Sequence, residues 1–236
     1  MSIKRKVLLI ILDGLGAAPA SQGNAVVLAQ ANTLSSLWST SPHTYLIASG
    51  EDVGLPKNTK GNSEVGHLNI GAGRTIYQNL PRINNAIEKG LIFENQTLKE
   101  AYAHAVKYGG RVHLVGLLSD GAVHSHIEHF KAVIDFFSKN NFPNHLFIHA
   151  FTDGRDTSPD SAMTYLADID KYCMDRGIGQ IGTIIGRYYA MDRNSKWDRT
   201  ERAYFLLEKN LGEQFSTAHS AIQHNYDQGI TDEFIE

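Results

Sequence analysis

Three apolar runs, each ending in a polar cluster and followed by helical spacing, constrain this chain more than any other feature. Residues 112–118, 146–151 and 178–185 are short and rich in large apolar residues. They read as strands buried in a parallel sheet. The first leads into Ser119-Asp120-Gly121-Ala122-Val123-His124-Ser125-His126 and the second into Thr152-Asp153-Gly154-Arg155-Asp156. The third leads into Gly186-Arg187-Tyr188-Tyr189-Ala190-Met191-Asp192-Arg193. Helical patterns occupy residues 86–89, 98–108, 127–137, 162–173 and 200–207, with Ile127, Phe130, Ile134 and Phe137 spaced along one face of the third. Strand-then-helix repetition predicts an α/β protein with a mainly parallel sheet. Such a sheet gathers the three polar clusters at its carboxyl edge, where open α/β sheets place their chemistry.

The first third reads differently. Residues 7–12 are apolar on both faces and predict another buried parallel strand, running straight into Asp13-Gly14-Leu15-Gly16. Residues 25–38 fit a helix and 43–48 a second strand. Residues 50–73 carry loop chemistry, with Ser63 near the centre and a helix starting about there. A polar shift over residues 74–82 predicts a boundary between this part and a longer α/β domain.

Composition narrows the function classes. Hydrophobic residues make up 42% and charged residues 20%, so a packed core is expected and disorder is not. The formal net charge is -3 and no basic tract stands out, which argues against a nucleic-acid partner. Lys4, Arg5 and Lys6 precede the first apolar run, but that run is too short for a signal sequence and ends at Asp13. No segment is long enough to span a membrane, so a cytoplasmic protein without a membrane partner is expected. The single cysteine, Cys173, cannot form an internal disulfide and is expected in the core.

Several residues could carry chemistry. A serine at a helix start faces free N–H groups that favour negative charge, so Ser63 could be a nucleophile meeting a phosphate; it could equally cap the helix. Asp13 could bind a divalent cation that activates that hydroxyl, or could form a turn. Arg155, Arg187 and Arg193 follow strand ends, with His124 and Asp156 nearby in sequence. Guanidinium groups hold phosphate and carboxylate in bidentate fashion, so an anionic small-molecule pocket is the natural reading. Asp120, His124 and His126 have metal-like spacing, but on a loop that spacing fixes no geometry. His124 is expected to touch substrate and His126 to be structural. No phosphate-binding P-loop or complete dinucleotide motif is present.

These motifs resemble the cofactor-independent (2,3-bisphosphoglycerate-independent) phosphoglycerate mutases. The resemblance rests on Leu12-Asp13-Gly14-Leu15-Gly16, Gly61-Asn62-Ser63-Glu64-Val65-Gly66-His67 and the three strand-end clusters, in family order across almost the whole chain. Ala122 stands where the family pattern has a glycine. The resemblance implies an alkaline-phosphatase-like segment at residues 1–77 and an α/β phosphotransferase domain at 78–236. It implies a phosphoserine intermediate at Ser63, with Asp13 and Ser63 as metal ligands. His124, Arg155, Asp156, Arg187 and Arg193 would hold phosphoglycerate, and Asp156 would carry protons. It implies two manganese ions (Mn2+), no 2,3-bisphosphoglycerate cofactor, and a monomer at full length. Family members are roughly twice as long, and their later half carries further metal ligands. The chain alone is therefore expected to be inactive. The competing expectations are a non-catalytic remnant with an anion pocket, and a related phosphatase or phosphopentomutase.

Overall fold

The structure, a computed structural model, describes residues 6–236. Lys4 and Arg5, which bear on the targeting question, lie outside the described residues. The chain divides into two compact units, one ending at Gln78 and the other spanning Asn79–Glu236.

In the first unit the helices are α1 (Ala25–Leu28), α2 (Asn32–Thr40) and α3 (Ser63–Ala72). The single helix expected over residues 25–38 is broken, with Gln30 in the left-handed region at φ 45°. Neither expected strand forms: residues 7–12 and 43–48 are irregular, and Val7 is 91% exposed. A central strand needs hydrogen-bonding neighbours on both edges, and the described residues of this unit supply none. A small core of Val53, Leu55 and Val65 holds the rest. Gly61 allows a close chain crossing, since a Cβ there would lie 1.7 Å from the Ala48 carbonyl oxygen.

The second unit follows the expected alternation. It runs α4 (Asn79–Glu88), α5 (Gln96–Tyr108), β1 (Val112–Leu117), α6 (Ile127–Lys139), β2 (Leu146–Thr152), α7 (Ala162–Arg176) and β3 (Gln180–Gly186). Then come α8 (Arg187–Ala190), α9 (Trp197–Lys209) and α10 (Ala218–Asp227). The last helix was not legible in the sequence. The three strands pair in parallel in the order β1-β2-β3, with a register shift at Ile148/His149.

Period-2 alternation sends Leu146, Ile148 and Ala150 of β2 into the core with Phe130, Ile134 and Phe137 of α6 and Leu166, Ile169 and Cys173 of α7. Ile148 and Ile134 are 0% exposed, and burial of each stabilises the fold by roughly 1.5–3 kcal/mol. Alternate residues face the other way: His113 Nδ1 lies 2.8 Å from His149 Nε2, and His149 Nδ1 lies 2.9 Å from Thr183 Oγ1.

Residues after α10 return beneath the strand ends. Gly186 N donates to the Ile235 carbonyl at 2.7 Å, and Thr152 Oγ1 donates to that of Asp232 at 2.6 Å. The fully buried Asp232 carboxylate caps α7 by accepting from the N–H groups of Ser161 and Ala162. These contacts fix the loop that follows β2, which opens the site.

Candidate active site

The loops after β1, β2 and β3 meet around a cleft of about 220 Å³. Its walls include His124, Arg155, Asp156, Arg187 and Arg193, so the second unit brings together all five residues expected to hold substrate. Arg199 and Glu233 also line it, and sequence reading missed both. Arg199 sits on α9, outside any strand-end cluster, where a lone helical arginine carries no signal. Glu233 is 78 residues from its partner Arg155.

Charge in the cleft is braced by carboxylates. Asp153, 2% exposed, accepts from Ser119 Oγ at 2.6 Å and from Arg187 Nη1 at 2.6 Å. It also accepts from the N–H groups of Arg155 (3.2 Å) and Asp156 (3.0 Å). Burial alone would raise its pKa. The hydrogen bonds from Ser119, from the Asp156 N–H and from Arg187 overcome burial and hold it below the ordinary carboxylate value. Arg187 Nη1 also donates to Asp156 Oδ2 at 2.7 Å, and His124 Nε2 lies 3.8 Å from that oxygen. Arg155 pairs with Glu233 at 3.3 Å. Arg199 stacks over Tyr188, 3.8 Å from the ring centroid, and pairs with Asp192 at 3.3 Å. Arg193 forms no ion pair among the described residues, which leaves its guanidinium open to an anion.

Two neighbouring residues are engaged locally. His126 caps α6, its Nδ1 accepting from the Glu128 N–H at 3.2 Å. Asp120 is engaged by the Tyr165 hydroxyl at 2.5 Å. Cys173 is buried, and burial pushes its thiol up to about 11.

The first unit places Ser63 and Asp13 together. Asn62, not Ser63, caps α3 by accepting from the Val65 N–H at 2.9 Å. The Ser63 hydroxyl is thereby left out of the cap, and Oγ donates to Asp13 Oδ2 at 2.6 Å. His67 Nδ1 lies 3.2 Å from Ser63 Oγ and 2.8 Å from its carbonyl oxygen. The Asp13 carboxylate and Ser63 hydroxyl are hard oxygen donors close enough to share one divalent cation, so they fit part of a coordination shell. They do not close one: no group of three His, Cys, Asp or Glu able to hold a metal occurs among the described residues.

A parallel α/β protein with a basic, carboxylate-braced cleft at its strand ends is the class that this geometry defines. Residues 83–236 match the family described as the BPG-independent PGAM N-terminus, and the chain belongs to that family. It is 50% identical over 232 residues to the 2,3-bisphosphoglycerate-independent phosphoglycerate mutase of Clostridium beijerinckii, covering 98% of this chain and 45% of that protein. It is 48% identical to the same enzyme of Moorella thermoacetica, covering 100% of this chain and 46% of that one. A crystal structure of Leishmania mexicana phosphoglycerate mutase at low cobalt concentration superposes with a TM-score of 0.70 at 29% identity, covering 95% of this chain and 43% of that one. The chain therefore spans less than half the length of the relatives it matches.

Proposed function

We propose that this chain is the N-terminal portion of an enzyme that interconverts 3-phosphoglycerate and 2-phosphoglycerate through a phosphoserine at Ser63. The observation that carries this reading is the Ser63 hydroxyl, freed from capping by Asn62 and donating to Asp13 Oδ2 at 2.6 Å. The names of the relatives and the arginine-lined cleft support the substrate class.

In the first step Ser63 Oγ attacks phosphorus and passes its proton toward Asp13 Oδ2. The bond from phosphorus to the glycerate 3-oxygen breaks, and that oxygen receives the proton of the glycerate 2-hydroxyl, carried between them by the Asp156 carboxylate. Arg155, Arg193 and His124 retain the glycerate while it reorients. In the second step the deprotonated 2-oxygen attacks the phosphoserine, and Ser63 Oγ leaves, taking its proton back from Asp13. Positioning and charge neutralisation supply most of the acceleration in such transfers. Asp13 and Ser63 would each give one oxygen to a bound cation, manganese by expectation, which lowers the hydroxyl pKa and offsets phosphoryl charge.

The test is a rapid quench of the full-length enzyme with 3-phosphoglycerate, followed by peptide mass spectrometry. Phosphate is expected on the peptide containing Ser63. Ser63→Ala should lower kcat by about three orders of magnitude or more; undiminished turnover would sink the reading. Because Asp13 and Ser63 do not close a cation site, residues 1–236 alone should show no turnover under the same assay.

A further inference from the structure

Resting on the reading of Asp156 as the proton carrier, we infer that Asp153 is the positioning residue of the cleft, fixing the Asp156 carboxylate through Arg187. Asp153 is the side chain that joins all three strand-end loops. Its Oδ2 accepts from Ser119, after β1, at 2.6 Å. Its Oδ1 accepts from the N–H groups of Arg155 and Asp156, after β2, and from Arg187, after β3.

The bridge to Asp156 runs through one nitrogen. Arg187 Nη1 donates to Asp153 Oδ1 at 2.6 Å and to Asp156 Oδ2 at 2.7 Å. That nitrogen carries two hydrogens, and both are spent on carboxylates. The Arg187 side chain is only 10% exposed. Its first task is therefore to hold one carboxylate against another, with Nη2 and Nε left for a ligand. Asp156, its side chain 24% exposed, is the end of this chain that lines the cleft.

The loop after β1 packs against both carboxylate residues. A Cβ at Gly121 would lie 2.9 Å from Asp156 Cβ and 3.3 Å from Asp153 Oδ2. Gly121 N also donates to Ser119 Oγ at 3.3 Å, so the hydroxyl that serves Asp153 is itself oriented. A buried carboxylate is weak evidence for stability, because desolvation offsets much of the attraction. What this one provides is a fixed direction for Arg187, and so for Asp156.

The experiment is a mutant cycle on the full-length enzyme. Asp153→Asn is isosteric: Oδ1 keeps its backbone donors, Nδ2 can donate to Ser119 Oγ, and the charge facing Arg187 is lost. Kcat should fall about 10- to 100-fold, the scale of a small misplacement of a reacting group, with KM changed less than about threefold. In the double variant with Asp156→Asn, kcat should equal that of Asp156→Asn alone, since Asp153 acts only through Asp156. Losses that multiply, or an unchanged kcat in Asp153→Asn, overturn the inference. Unchanged turnover in Asp156→Asn overturns instead the proton-carrier reading. Should Asp153→Asn not fold, Ser119→Ala removes one donor from Asp153 and should give a smaller loss, again absent on the Asp156→Asn background; a loss persisting there overturns the inference too.

Discussion

Glu233 shows how a single residue sets the charge of the cleft. It places a carboxylate against Arg155 at 3.3 Å in a space otherwise suited to anions. An incoming phosphate or carboxylate must share Arg155 with it, and like charges at that range repel. Glu233→Gln should therefore lower KM for phosphoglycerate about two- to fivefold in the full-length enzyme, by about 1 kcal/mol or less, with a steeper rise of KM with salt. A raised KM would mean that Glu233 orients Arg155 instead of competing for it. At this scale the sequence showed five cleft residues because each follows a strand end, where topology alone predicts convergence. It did not show Glu233 or Arg199, whose partners are remote in sequence or lie on a helix with no cluster. Nor could it choose between Ser63 as cap and as nucleophile, because Asn62 precedes it and either residue can cap.

The three strands of the second unit were legible to within about two residues because their apolar runs are bounded by turn formers and followed by helical spacing. Their partnership also predicts a pH effect. His149 on β2 is hydrogen-bonded between His113 and Thr183 across the sheet. Burial, and then the neighbouring His113, lower its pKa from the ordinary 6.5. The folded state therefore resists a proton that the unfolded chain accepts. The stability that follows is present above about pH 6.5 and is lost as pH falls through the lower folded value. Urea midpoints of the 1–236 chain should fall from about pH 7 to about pH 5, and His149→Gln should flatten that fall. An equal slope in the variant would assign the effect to other groups. The expected strands over residues 7–12 and 43–48 fail for the complementary reason: hydropathy identifies a segment fit for a sheet, but only a neighbouring strand makes it one.

At the scale of the whole chain the two units differ sharply in how much apolar surface they bury. The second has a continuous core between its sheet and the helices α6 and α7. The first holds three buried apolar residues in its core cluster, while Val7, Leu8, Leu9 and Ile10 are each at least 69% exposed. Each such side chain forgoes roughly 1.5–3 kcal/mol that full burial would supply. Stability is not uniform in such a chain, and the less buried unit opens at lower free energy. Thermolysin, which cleaves beside exposed large apolar residues, should cut purified 1–236 first within residues 7–47 and leave a resistant fragment beginning near Asn79. Amides of β2 should exchange most slowly, because that strand is paired on both edges and its core-facing Leu146, Ile148 and Ala150 are almost fully buried. First cuts inside β2 or α7, or equal protection in both units, would show that the units unfold together and that the exposed apolar run is covered in solution.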